Sequence, residues 1–168
     1  MGVMPIPDYV LSLRAHVGHD LLWLPGVTVV VRDSGGRVLL AQRADNGRWA
    51  LISGIVDPGE EPAIAARREV REEAGLPVTI AALAAVSTTG EITYPNGDRS
   101  VYVDLLFVTE PVDAAVAALT HVGDDENLAV GWFDPDGLPE TVNASTIARL
   151  DLARRFEASK DRAALFVS

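Results

Sequence analysis

The chain has 168 residues, 48% hydrophobic and 23% charged, the balance of one soluble globular domain large enough to bury a substantial core. It contains no cysteine, which excludes disulfides, thiolate zinc sites and cysteine nucleophiles. A net charge of −10 argues against generic nucleic-acid binding, which calls for a basic stripe.

At the N-terminus there is no basic, apolar, small-residue leader pattern. Met1-Gly2 opens like an acylation site, but Ile6 stands where Ser or Thr would be needed. No apolar run is long enough to span a bilayer: 21–31 is broken by Pro25 and Gly26, and 77–86 is too short. The expected location is cytoplasmic.

In chain order, residues 6–18 read as a short helix, with Asp8 as N-cap and Gly18 as stop. It is read first as a packing helix and second as a dimer or substrate element. Residues 26–32 form a β-branched strand, 33–36 a turn and 37–43 the returning strand of an antiparallel hairpin. A loop over 44–48 leads into Trp49–Gly54. Pro62 suits the first helical position and Gly75 the position just past the last one, which predicts a helix between them. Residues 78–86 read as a strand, and 92–108 as a hairpin turning at Asn96-Gly97. Tyr102, Leu105 and Phe107 are candidates for core or pocket. Residues 112–119 are ambiguous, 129–133 a short strand, 134–139 a loop and 145–158 a C-terminal helix. Strands on both sides of one helix, with another helix at the end, predict a mixed sheet between helical layers.

The informative segment runs from Gly54 to Leu76. Along its helix Ala63, Ala66, Val70 and Ala74 make a narrow apolar stripe, narrow enough for close packing on a sheet. At about 100° per residue, Glu69, Glu72 and Glu73 fall at the border of that face and not beneath it. Three neighbouring carboxylates call for a cation, and oxygen ligands suit Mg²⁺ or Mn²⁺. The plain alternative is a solvated face, since Arg67, Arg68 and Arg71 are interleaved and Arg68–Glu72 is an i,i+4 pair. Like charges at that spacing cost only about 0.2–0.5 kcal/mol, so repulsion decides nothing.

The longer pattern does decide. Gly54, Glu60, Arg68, Glu69, Val70, Glu72, Glu73, Gly75 and Leu76 satisfy Gly, five residues, Glu, seven residues, then Arg-Glu-aliphatic-any-Glu-Glu-any-Gly-aliphatic. A chance match is on the order of 10⁻⁸ per window. This pattern resembles the signature of the Nudix hydrolases, and most of 25–138 can be laid on that family. The resemblance implies an α+β fold, an α/β/α sandwich around a mixed β-sheet. It would be one domain over 1–168, with a helical extension at 1–24, a core at 25–138 and a C-terminal helix at 139–168.

The family's chemistry is cleavage of a nucleoside diphosphate linked to a moiety X. ADP-ribose or a sugar nucleotide leads, with (d)NTP or oxidised-nucleotide hydrolysis second and a non-catalytic nucleotide-binding regulator third. By resemblance Glu69, Glu72 and Glu73 are metal ligands, joined by the Ser53 carbonyl, and Arg68 orients a neighbouring glutamate. Glu60 would be partly structural, and Asp57 stands where many members have Glu. Leu51-Ile52-Ser53-Gly54 departs from the common Leu-Pro-Gly-Gly, which bears on loop geometry because Gly tolerates dihedrals that Ser does not. Glu72 and Glu73 are candidates for catalysis within the box, and Glu126, with Asp125 as rival, outside it. Arg43, Arg48 and Tyr94 are weaker candidates for substrate contact. His16, His19 and His121 have no metal-ligating spacing and read as structural or solvated. The expected partner is a small nucleoside diphosphate derivative, with neither nucleic acid nor membrane. A homodimer is allowed by the resemblance and the spare N-terminal helix.

Overall fold

The computed structural model describes residues 6–167; Met1-Gly2 lies outside the described residues. The larger sheet has the order β4 (Ile52–Ile55), β1 (Leu22–Val30), β7 (Arg99–Thr109), β5 (Ile80–Thr88) and β9 (Leu165–Phe166), with β6 (Ile92–Thr93) also paired to β7. It is mixed: β1–β7 and β5–β9 run parallel and the other pairs antiparallel. A smaller antiparallel sheet joins β3 (Trp49–Ala50), β2 (Val38–Arg43) and β8 (Asn127–Phe133).

Helices cover both faces of the larger sheet. Val27 and Val29 of β1 and Phe107 of β7 pack with Ala65, Ala66, Val70 and Ala74 of α2 (Pro62–Ala74). The alternate residues Val30, Leu106 and Val108 pack with Leu150, Ala153 and Phe156 of α4 (Ala144–Ala158). A strand buried on both faces carries apolar residues at consecutive positions, which is why β1 ends in an unbroken valine run. The expected α/β/α sandwich is therefore present.

Three expectations are corrected. The hairpin of 26–32 with 37–43 survives only at its turn, through the Arg32–Val38 bridge and the Leu39 N–H to Val31 carbonyl bond. Beyond it β1 joins the larger sheet and β2 the smaller. Second, β1 begins at Leu22 and runs through Pro25. The Pro25 carbonyl accepts from Val56 N–H, so its imide nitrogen faces the side where β4 pairing stops, and only a terminal ladder bond is lost. Third, the C-terminal segment adds β9 after its helix. The ambiguous stretch becomes a short α3 (Ala114–Ala117), capped by Asp113. The β6–β7 turn falls at Asn96-Gly97, as its left-handed glycine requires.

The helix α1 (Asp8–Val17) takes Pro7, not Asp8, as its N-cap, and stops at Gly18 with φ +58°. It is fastened to the β6–β7 turn by Arg14, which donates to the carbonyls of Gly18, Asp20 and Arg99 and lies 3.3 Å from Asp98. Asp98 is 8% exposed and also accepts from His19 and Asn96. Burial pushes its carboxyl up, but these hydrogen bonds and the Arg14 charge outweigh burial and hold it below the usual range. A depressed native pKa stabilises the fold fully above the unfolded value of about 3.9, and that stability is lost as pH falls through the native pKa. Asp98→Asn is expected to cost about 1–3 kcal/mol at pH 7, lowering Tm by several degrees. The gap from wild type closes below about pH 4. Thermal melts of both proteins across pH 3–7 check this.

Candidate active site

The helix α2 begins at Pro62 and is capped by Gly75, whose N–H donates to the Arg71 carbonyl and whose φ of +70° turns the chain out of the helix. Its alanines bring the backbone close against β1 and β4, and this closeness fixes the site. The Glu69 carboxylate lies directly against Gly54: a Cβ there would stand 1.9 Å from Glu69 Oε1. Gly54 is thus required for space, not for an unusual dihedral. Ser53 has no positive φ and pairs with Thr28 in an ordinary strand, so serine at this point causes no distortion.

Arg68 organises the acids. Its Nε and Nη2 grip both oxygens of Glu60 at 2.9 and 3.0 Å. Its Nη1 reaches Glu69 Oε1 at 2.7 Å and Glu72 Oε2 at 3.0 Å, and Nη2 also donates to the Ile55 carbonyl at 3.1 Å. The Glu60 hydrogen bond, with Glu69 and Glu72 behind it, holds the guanidinium firmly charged. In return the Arg68 bonds hold Glu60 below the usual carboxylate range.

Glu73 corrects the expectation of a border position, being only 7% exposed. It accepts from Ser53 N–H at 3.3 Å and from Asn127 Nδ2 at 2.9 Å. The β4 edge and the start of β8 close over it, which helical periodicity alone does not register. Burial raises its pKa to about 8 against the pull of Asn127, with Glu69 adding repulsion. Burial likewise raises Glu69 to about 7, opposed by Arg68. In an extended strand a residue's N–H and C=O share an edge. Since Ser53 N–H faces Glu73, its carbonyl is on the side of the α2 carboxylates.

The loop carrying Glu126 is clasped to the end of α2. His121 N–H and Gly123 N–H donate to the carbonyls of Ala74 and Glu73, and a Cβ on Gly123 would meet the Glu72 carbonyl at 2.0 Å. Glu126 is half-buried there; burial first, then Asp124, raises its carboxyl, and Glu72 adds to the effect while Arg43 opposes it. Asp125 is exposed. Asp124 accepts from Glu126 N–H and from Asn127. Asn127 was missed in the sequence; its one signal is its position just inside β8, directly after the acidic loop. The histidines stay apart from the glutamates' ligating atoms: His16 bonds Ser12, His19 bonds Asp98, and His121 bonds Leu119 and packs on Gly75.

On the other side of β4 is a cavity of about 490 Å³, walled by Ser53 and Gly54, by β1, by the β6–β7 hairpin and by the first turns of α4. Its size suits a nucleotide-sized ligand. Arg43, ion-paired to Asp45 at 2.7 Å, and Tyr94, hydrogen-bonded to the Tyr102 hydroxyl at 2.8 Å, line it; Arg48 is exposed and does not. Leu105 and Phe107 belong to the core.

A family profile described as NUDIX domain matches residues 22–151. The chain belongs to the Nudix family. It is 36% identical over 114 residues to a "MutT-like protein" of Streptomyces ambofaciens, covering 68% of this chain and 65% of that one. It is 30% identical over 151 residues to the 8-oxo-dGDP phosphatase NUDT18 of Mus musculus, covering 89% of this chain and 43% of that one. The chain thus spans less than two thirds of these curated relatives. Among solved structures, the MutT protein of Methanosarcina mazei Go1 superposes with TM-score 0.66 at 21% identity, covering 83% of this chain and 99% of that one. An ADP-ribose pyrophosphatase of Streptococcus suis gives 0.61 at 21%, covering 86% and 98%. At that identity these two report the fold.

The donor set of the Nudix box fits a hard divalent cation: it is all oxygen and acidic, with Glu73 buried and Glu69 partly buried, carboxylates whose ionised forms favour a counter-charge. Among the described residues no three acids yet converge as an ion site, because Arg68 Nη1 stands between Glu69 and Glu72. Among the described residues no helix is long and apolar enough to cross a membrane.

Gly54→Ala is expected to dislodge Glu69, costing about 1–3 kcal/mol of stability, with a Tm lower by a few degrees and weaker cation binding. Gly90→Ala, where a Cβ meets open space, is the control and leaves both unchanged. Thermal melts with and without Mg²⁺ read the pair.

Proposed function

We propose that this protein is a divalent-metal-dependent pyrophosphohydrolase of nucleoside diphosphate derivatives, with Mg²⁺ or Mn²⁺ as cofactor. The observation that carries the reading is the Glu69 carboxylate set against Gly54, with Glu73 on the Ser53 N–H and Glu72 joined to Glu69 through Arg68, at the strand that walls a nucleotide-sized cavity. The relative named 8-oxo-dGDP phosphatase supports a phosphoanhydride substrate.

In this reading Glu69, Glu72, Glu73 and the Ser53 carbonyl hold the cation, which when bound screens phosphate charge and lowers the pKa of water. Arg68 sets the rotamers of Glu69 and Glu72 through charge-assisted hydrogen bonds. Asn127 holds Glu73 by one oxygen, leaving the carboxylate oriented and not free to turn. Glu126, on the opposing loop, would take a proton from the attacking water, a role its half-burial favours by keeping it basic. A substrate anchored in the cavity would have its phosphates drawn past Ser53 and Gly54 toward these acids.

The test is metal-dependent turnover against ADP-ribose, sugar nucleotides, dinucleoside polyphosphates, (d)NTPs and (d)NDPs, with products resolved by chromatography. Glu73→Gln is expected to lower kcat by about 10²-fold or more with the circular dichroism spectrum unchanged. Glu126→Gln is expected to lower it by about 10²-fold through loss of proton transfer. Full turnover in Glu73→Gln would refute the mechanism, and product masses name the bond cut. Oligomeric state is a separate matter: light scattering resolves a dimer from one 17.9 kDa species.

A further inference from the structure

At the end of the cavity away from the glutamates, Asp104 of β7 is 3% exposed, a carboxylate buried in the sheet. Its Oδ1 accepts from the Thr28 hydroxyl on β1 at 2.7 Å, and its Oδ2 accepts from Arg149 Nε on α4 at 2.7 Å. Burying an acid is costly, and the effect here is to lock an arginine that is itself only about one fifth exposed. Arg149 spends Nε on Asp104. Its two Nη groups make no hydrogen bond among the described residues and are not sealed from solvent. They form the open edge of a fixed guanidinium that lines the cavity.

Two properties restrict what that edge can read. The Arg149–Asp104 pair is neutral as a unit, so it suits an uncharged acceptor better than another phosphate. A planar fork of parallel N–H donors matches two adjacent acceptors. The neighbouring wall is flat and aromatic: Tyr102 covers Gly26 so closely that a Cβ there would lie 3.3 Å from its ring, and Tyr94 is tied to it. Among purines, the flat ring with paired acceptors on one edge and no charge there is a 6-oxopurine, whose O6 and N7 are both acceptors; adenine offers one acceptor beside a donor.

The geometry points to Arg149, positioned by Asp104 and Thr28, as the residue that selects a guanine-type base for this site. The inference deepens the pyrophosphohydrolase reading and rests on it only for the kinetic arm of its test. That arm compares GDP and dGTP with ADP and dATP in wild type and Arg149→Met, which keeps the length and removes the donors. Wild type is expected to favour guanine by about tenfold or more in kcat/KM, the discrimination one bidentate pair supplies. Arg149→Met abolishes the preference, read as the guanine-to-adenine ratio of KM falling to about one, and Thr28→Val weakens it partially. The second arm is metal-free calorimetry of GMP and AMP on the wild-type protein, with GMP expected to bind about tenfold tighter. Equal binding of GMP and AMP, or a guanine preference intact in Arg149→Met, overturns the inference. Selective GMP binding by a protein that hydrolyses nothing would sustain it and refute the hydrolase reading.

Discussion

The Arg68 guanidinium ties three segments at one point: the loop after β4 through Glu60, the β4 end through the Ile55 carbonyl, and α2 through Glu69 and Glu72. A planar fork can satisfy these at once because its donors diverge at fixed angles; a lysine ammonium has three donors on one atom and cannot. The arrangement also has an electrostatic necessity. Glu69 and Glu72 carry like charge on one helix edge, and Nη1 between them turns repulsion into two short hydrogen bonds. Remove that cation and the loop detaches while the acids splay.

Close approach of α2 to the sheet makes the rest possible. With Ala65, Ala66 and Ala74 fully buried, the helix sits near enough for Glu69 to touch Gly54 and for Glu73 to reach Ser53 N–H. Larger side chains would push the helix away and return both acids to water. Burial has a cost, visible in the raised carboxyls of Glu69 and Glu73. In the proposed reading the excess of acid over base across the whole chain does not bar a polyphosphate, since a bound ion would set the local charge.

What was legible in the sequence follows from locality. The bounds of α2, the Asn96-Gly97 turn and the C-terminal helix obey rules acting over a few residues, and the structure agrees with them within a residue or so. Partner choice among strands is not local. Residues 26–32 and 37–43 look like a hairpin from their turn, yet β1 is buried on both faces between β4 and β7 and leaves β2 to another sheet. Glu73 looked like a border residue because the helical wheel knows nothing of β8. Asn127, Asp104 and Arg149 carry no spacing signal at all; each gains its meaning from a side chain 45 or more positions away.

The two sides of β4 differ in a way that divides the labour of the site. On the α2 side acids outnumber the arginine that holds them, so that side calls for an added cation. In the cavity Arg43 pairs with Asp45, while its charge also acts on Glu73 and Glu126, and Arg149 pairs with Asp104. A ligand with a neutral ring and an anionic tail would settle in one orientation, its ring among these pairs and its phosphates toward the cation-seeking edge. Ser53 and Gly54 are the wall shared by both sides. Changes at Arg149 or Tyr102 can then alter which ring is accepted while Arg68 keeps the acids in place, because the two networks share backbone but, among the described residues, no side-chain hydrogen bond.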